Sequence, residues 1–450
     1  MKVLLLSANT VREPYPVYPL GLDYVAGAIA ADHAVQVLDM NQLPAGMDLE
    51  TVISAFDPEI VGISLRNIDN TDITDPKGFI PAYRSLVDRV RRACGAPIVL
   101  GGSGFTIFPH EIMAALEADY GIAGEGERLA LLLKALDRGD DPLTIPGVIG
   151  RNEGGQPFPA PFVGPVARRF DPGATYLDFY LRNGGMLNLQ TKRGCPFRCI
   201  YCTYPRIEGR QMRCEAPEQI ARIALGLQEA GAQYIFLTDS AFNADISHSL
   251  AVARALRGAG VAIPWGGFFA PTALPEGYFE TLAACGLRHV EFGTEAFCDP
   301  VLTAYGKPFQ TRHVVRAHEA AVAAGLHVAH YFLFGGPGET ERTLIQSLER
   351  IDKLQKCVLF LFAGMRIYPH TELYRLALQQ GQLDEGQCIL APVFYRPPGL
   401  DITQAIEKVT DHARARDNWV VGAGGETVVK IMARMYRRGF SGPLWEYLIR

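Results

Sequence analysis

The chain lacks any apolar run long enough for a membrane. Its opening, MKVLLLSANTVREPYP, holds one Lys and a short apolar stretch, below a signal-peptide core and far below the roughly 20 residues that span a bilayer. A first β-strand of a cytoplasmic protein is the expectation. Charge of one sign is lacking too: 43 Lys and Arg stand against 48 Asp and Glu, a net −5, which gives no electrostatic case for a nucleic-acid partner. Charged residues make up 20% and hydrophobic residues 48%, which excludes a disordered chain. The nine cysteines are an odd number, scattered apart from one cluster, so a disulfide framework is not expected. No low-complexity tract or internal repeat occurs. At 450 residues the chain exceeds the roughly 250 to 300 residues at which single cores stop growing, so at least two domains are expected.

What is present is rhythm. In the first 138 residues, apolar runs alternate with amphipathic stretches: VLLLS (3–7), VQVLDM (35–40), IVGISL (60–65), PIVLGG (97–102) and YGIAGEGE (120–127). Continuous Val/Ile/Leu runs bounded by Gly or Ser are what strands buried on both faces look like, and their alternation with helices argues for a doubly wound parallel sheet. Residues 139–182, rich in Pro and Gly, read as a linker with a short hairpin at VIGRNEGGQPF. The rhythm resumes in MLNLQTK, YIFLTDS, IPWGGFF, HVEFGTE, HVAHYFLFGG and VLFLFAGMRIY. These six units over 183–392 suggest a full or partial (β/α) barrel with its chemistry at the carboxyl ends of the strands. Residues 393–450 read as a helical tail packed on it.

The cluster is TKRGCPFRCIYCT, with thiols at Cys195, Cys199 and Cys202 just after the first barrel strand. Three close thiolates can hold three corners of an iron-sulfur cube. The fourth iron then stays open to a ligand bearing an amine and a carboxylate. A zinc site would call for a fourth Cys or His, and the next His is His248; a ferredoxin-like carrier would need a fourth Cys nearby, and Cys214 lacks the usual short spacing. Apolar strands also end in TDSAFN, with Asp239, Ser240 and Asn243, and in EFGTE, with Glu295. FLFGGPGETERT places Gly335, Gly336 and Gly338 where the backbone turns sharply or approaches something closely, with a helix start at Thr340 as the plainer reading. GGFF at 266–269 fits a bulge or a close approach to substrate.

At Cys195, Cys199 and Cys202, with Tyr201 before the last, the sequence resembles the radical S-adenosylmethionine (SAM) superfamily. That resemblance implies a 4Fe-4S cluster held by the three cysteines as metal ligands and catalytic residues, with SAM on the open iron, an external electron donor of flavodoxin or ferredoxin type, and a 5'-deoxyadenosyl radical. It further implies SAM contacts from Tyr201, Asp239, Ser240, Glu295, Gly336 and Tyr368, the last in RIYPHTELY beside Arg366.

A flavodoxin-like (Rossmann-type) domain ahead of such a barrel resembles the cobalamin-binding members of that superfamily. The positions implied are Ser64, Leu65, Arg66 and Asn67 after the third strand, Gly101 and Gly102 after the fourth, and Gly124, Glu125 and Gly126 after the fifth. The loop after the first strand, SANTVREPYPVYPLG, has no histidine, so no imidazole from the DxHxxG pattern is expected on cobalt. Arg66, which cannot be deprotonated, is the candidate to cover that face, or else a surface arginine near Asp69 and Asp72. The resemblance points to a methyltransferase moving a methyl group from SAM through cobalamin to an unactivated carbon. A cyclase or rearrangement enzyme with both cofactors, and a non-catalytic iron-sulfur electron carrier, are the alternatives. The substrate, small molecule or peptide, is not legible.

Overall fold

The computed structural model describes all residues except 13–14, 152–158, 164–166, 423–424 and 450. Five parallel strands, β1 (Lys2–Ser7), β2 (Ala34–Asp39), β3 (Ile60–Ser64), β4 (Ile98–Gly101) and β5 (Tyr120–Ile122), form the first sheet in the order β2-β1-β3-β4-β5. Val3 to Ser7 and Ile60 to Ile63 are buried throughout, as both-faced burial demands. This is the flavodoxin-like order, whose switch point lies between β1 and β3.

One boundary differs from the sequence reading. β6 (Val148–Gly150) pairs antiparallel with β5, Tyr120 against Gly150, so the first unit runs on past residue 138. Three residues are too few to show periodicity. The remainder of the expected hairpin, 152–158, lies outside the described residues.

The second sheet is wholly parallel: β7 (Met186–Leu189), β10 (Tyr234–Leu237), β11 (Trp265–Phe269), β12 (Leu287–Glu295), β13 (His327–Phe334), β14 (Cys357–Ala363) and β15 (Trp419–Val421) follow one another around an open barrel. A small antiparallel ribbon, β8 (Lys192–Arg193) with β9 (Arg213–Cys214), flanks the cysteine loop. β15 lies within the stretch expected to be helical; it pairs Trp419–Val421 with Leu359–Leu361 of β14, and its three residues carried no pattern. Helices at Ile402–Ala413 and Gly425–Arg437 are the longest elements of that tail.

The last residues plug the amino end of the barrel. Trp445 packs with Ala329, Val358 and Phe360 and donates its indole N–H to Glu291 at 3.0 Å. Glu446 accepts from Tyr234 Oη at 2.9 Å and lies 3.1 Å from His327 and 3.3 Å from His289. Glu291, fully buried, also accepts from Tyr331 Oη at 2.8 Å, and burial raises its carboxyl above the usual range.

The two units share one hydrophobic core, running from Leu4 and Ile63 to Leu237, Val290 and Leu359. Buried ion pairs cross between them: Asp69 to Arg366 at 3.0 Å, both 5% exposed, and Asp23 to Arg168 of the connector at 2.8 Å.

Candidate active site between the barrel mouth and the first sheet

The cysteine loop is fixed by backbone. Gly194 sits at φ +90°, and a Cβ there would lie 2.2 Å from the Gln211 carbonyl oxygen, so glycine alone fits. Cys195 N–H donates to Gly209 O at 3.1 Å and Ile200 N–H to Tyr305 O at 3.0 Å, while Leu373 N–H returns to Ile200 O at 2.9 Å. Cys195 is buried and Cys199 and Cys202 are half-buried, all as free thiols. Burial pushes the Cys199 thiol up, Lys307 offsetting part of it, and pushes Cys202 up to about 12. Thiols so placed become thiolates only against a strong cation, which is the chemistry of a metal donor set. Among the described residues no three Cys, His, Asp or Glu are gathered about one point as a single ion would need; a cube, with one thiolate on each of three irons, does not require that. The donor set fits such a cluster.

Beside the loop the chain brings together groups the sequence did not connect. Glu295 ends β12 at φ +62°, where the register shifts against β13; non-glycine residues held there store strain, a feature that clusters at functional sites. Its carboxylate accepts from Lys307 Nζ at 3.2 Å, and Lys307 lies over the Tyr201 ring at 5.5 Å. Burial alone would lower the Lys307 ammonium, but Glu295 and Cys199 more than reverse that. Lys307 went unread because twelve residues and a helix separate it from Glu295, and only the fold closes the gap.

Several expected SAM contacts have internal partners instead. Asp239 is 1% exposed and accepts from Thr191 N–H (2.8 Å), Thr191 Oγ1 (2.5 Å) and Lys192 Nζ (2.7 Å); it braces the strand leading into the cysteines. Asn243 is spent on the Ala270 backbone, and Ser240 donates to Gly194 O at 3.4 Å. Of the glycines of FLFGGPG, Gly336 approaches Tyr305: its N–H donates to the Tyr305 hydroxyl at 3.0 Å, and a Cβ on it would lie 2.4 Å from the ring. Thr340 caps the next helix. Tyr368 lies against Phe108 of the first unit at 6.4 Å, and Arg366 is committed to Asp69.

A cavity of about 580 Å³ lies between the carboxyl edge of the first sheet and the barrel lumen. Ser64, Arg66, Gly101, Gly102, Gly124, Glu125 and Gly126 line it from the first unit; Gln190, Tyr204, Glu208, Phe236, Phe268 and Tyr331 line it from the barrel. Gly102, at φ +101°, leaves no room for a Cβ beside the Leu65 backbone at 2.6 Å. A cradle of glycines along the carboxyl edge of the sheet, after β4 and β5, fits a large planar cofactor with a threaded tail. Leu65 and Asn67 do not join it. Leu65 is fully buried, and Asn67 turns to Asn9 at 3.4 Å. Glu125 borders the cavity, but its carboxylate is taken by Arg193 at 2.7 Å, Arg213 at 2.8 Å and the Phe162 amide at 2.6 Å. Arg66 is walled by protein yet open to the cavity; burial lowers its guanidinium, Tyr15 and Tyr204 partly opposing, and Asp69 pairs with Arg366 rather than with it. A shallow dish between Arg254, Arg257 and Glu280 lies on the barrel's outer helices, away from the strand ends.

Comparison with known proteins agrees with this geometry. The Radical SAM superfamily model matches residues 189–351 and the B12 binding domain model matches residues 7–133. The chain is 26% identical to tryptophan 2-C-methyltransferase of Streptomyces laurentii, over 84% of this chain and 74% of that protein. It is 24% identical to cytidylyl-2-hydroxyethylphosphonate methyltransferase of Streptomyces wedmorensis, over 86% and 84%. The radical SAM methyltransferase TsrM of Kitasatospora setae, solved with cobalamin and a [4Fe-4S] cluster, superposes with a TM-score of 0.86 at 23% identity, covering 99% of this chain and 97% of that one. The cobalamin-dependent SAM radical enzyme OxsB superposes at 0.71, with 14% identity over 99% and 72%. These superpositions establish the shared fold.

Proposed function

Since the chain belongs to the cobalamin-binding radical SAM superfamily, its B12 binding domain leading and its radical SAM domain following, we propose that it is a methyltransferase acting on a carbon of a small molecule held between the two. The observation that carries this reading is the single cavity into which the glycine edge of the first sheet and the strand ends of the barrel both open. When bound, a 4Fe-4S cluster supplies an electron and an open coordination position for SAM, and cobalamin supplies a carrier for the methyl group. Cys195, Cys199 and Cys202 hold the cluster. Glu295 and Lys307, paired beside Tyr201, present a carboxylate and an ammonium to SAM at the same rim. Ser64, Gly101, Gly102, Gly124 and Gly126 would receive the corrin, and Arg66, which lines the same cavity, would stand beside it where no histidine is available.

Deeper in the cavity Phe268 turns its ring toward Phe236 at 5.2 Å and Tyr331 at 6.2 Å. These faces form an apolar seat for substrate that excludes water from the reacting carbon. An external one-electron donor and a reducing cytoplasm complete the reading. No described helix is long and apolar enough to cross a membrane.

The test is anaerobic reconstitution with iron, sulfide and hydroxocobalamin, followed by a one-electron reductant such as reduced flavodoxin, SAM and candidate acceptors. Methylated product with S-adenosylhomocysteine supports methyl transfer. SAM cleavage without methylation would indicate a cyclase or rearrangement, and no SAM turnover an electron carrier. Cys199→Ala is expected to lose SAM turnover together with most of its iron; turnover persisting at the wild-type rate would remove the cluster from the reaction.

A further inference from the structure

The cysteine loop has a neck, and the neck is gripped by the other unit. β8 leads into Cys195 and β9 takes the chain back after Cys202, with Arg193 registered opposite Arg213. Both guanidiniums meet carboxylates of the first unit. Arg193 donates to Glu125 at 2.7 Å and to Glu127 at 2.6 Å, and Arg213 donates to Glu125 at 2.8 Å. The Arg193 plane lies over the Tyr24 ring at 4.7 Å, and the Glu127 side chain is 2% exposed. Two further bonds tie the grip to the loop itself. Arg213 donates to Glu208 O at 2.8 Å, and the Glu208 carboxylate accepts from Gly194 N–H at 3.0 Å, next to Cys195.

Two arginines against two carboxylates, largely shielded from water, make a matched set in which removing one member strands the others. Glu125, Glu127, Arg193 and Glu208 also wall the cavity between the units. A molecule filling that cavity therefore rests against the groups that set the loop's neck.

We propose that Arg193, held by Glu125 and Glu127, is a positioning residue that couples the two cofactor sites, so that filling the corrin cavity tightens the cysteine loop and filling the loop tightens the cavity. The coupling rests on the proposed function. It has a thermodynamic signature: each occupant changes the other's affinity by the same factor. Hydroxocobalamin affinity is measured by absorbance titration on wild-type protein stripped of iron and on reconstituted protein, then on Glu127→Gln and Arg193→Lys.

The expectation is about tenfold tighter cobalamin binding in the iron-loaded wild type, within the usual range of coupling, and a ratio near one in both variants. Iron release to a chelator should slow when cobalamin is present in the wild type alone. A role confined to stability would weaken binding in both iron states and leave the ratio unchanged. A wild-type ratio of one, or an unaltered ratio in the variants, overturns the proposal; the wild-type ratio decides even if a variant does not fold. Absence of cobalamin binding in either wild-type state would instead overturn the proposed function itself.

Discussion

Arg66 is the residue whose surroundings say most about the cavity. Its guanidinium meets no carboxylate among the described residues and faces the space beyond Ser64. If Arg66 borders the corrin as proposed, Arg66→Ala is expected to shift the visible absorption of bound cobalamin, because water or a new ligand gains access from that side of the cavity. An unchanged spectrum with unchanged turnover would take Arg66 out of the site. Glu339 gives a second prediction. Burial raises its carboxyl from the usual 4.5 to about 7 against opposing bonds from the Gly335 and Gly336 amides and Tyr305, and its Oε1 has no partner among the described atoms. Between those two values the folded chain holds a proton that the unfolded chain has released, so stability falls as pH rises through that window and levels off above it. Glu339→Gln should flatten the slope, gaining about 3 kcal/mol on the wild type at pH 8 relative to pH 5. Parallel urea-unfolding curves for both proteins across that range would contradict it.

At the scale of elements, the strands were legible because buried parallel strands are continuous apolar runs: the eleven runs quoted from the sequence all lie in β1 to β5, β7 and β10 to β14. β15 was not legible, since three residues at a sheet edge carry neither length nor alternation; β6 was read as the start of a hairpin, but not its pairing with β5. The cysteines stood out through spacing that is local in the chain. Lys307, Arg193 and Glu127 did not, because each acquires its meaning from a partner on another element. The bracing role of Asp239 was hidden for the same reason, its partners Thr191 and Lys192 lying 48 and 47 residues away. The C-terminal plug is an element whose contribution can be measured. Trp445→Ala empties a packed site and deprives Glu291 of a donor, which should cost roughly 3 to 5 kcal/mol. A loss below about 1 kcal/mol in chemical denaturation would show that the segment is not seated in the barrel.

For the whole molecule, the shared core and the buried pairs between units argue for one cooperative unfolding transition rather than two. Asp69→Asn removes the charge opposite Arg366, whose other hydrogen-bond partners are the neutral Ile367, Ile389, Leu390 and Val393 carbonyls. Removing one member of a buried pair costs on the order of 3 kcal/mol, so the whole transition should shift down in temperature as one peak in calorimetry. Separation into two peaks would mean that the units are stable apart.

The grip of Glu125 and Glu127 on Arg193 and Arg213 also limits how such a protein can be rebuilt. The leading unit is not a cartridge to be exchanged for any corrin carrier of like shape. A chimera needs an incoming turn that brings two acids to the same arginines, or it inherits buried cations at the base of its iron-binding loop. Along a lineage, positions 125, 127, 193 and 213 should therefore change in concert.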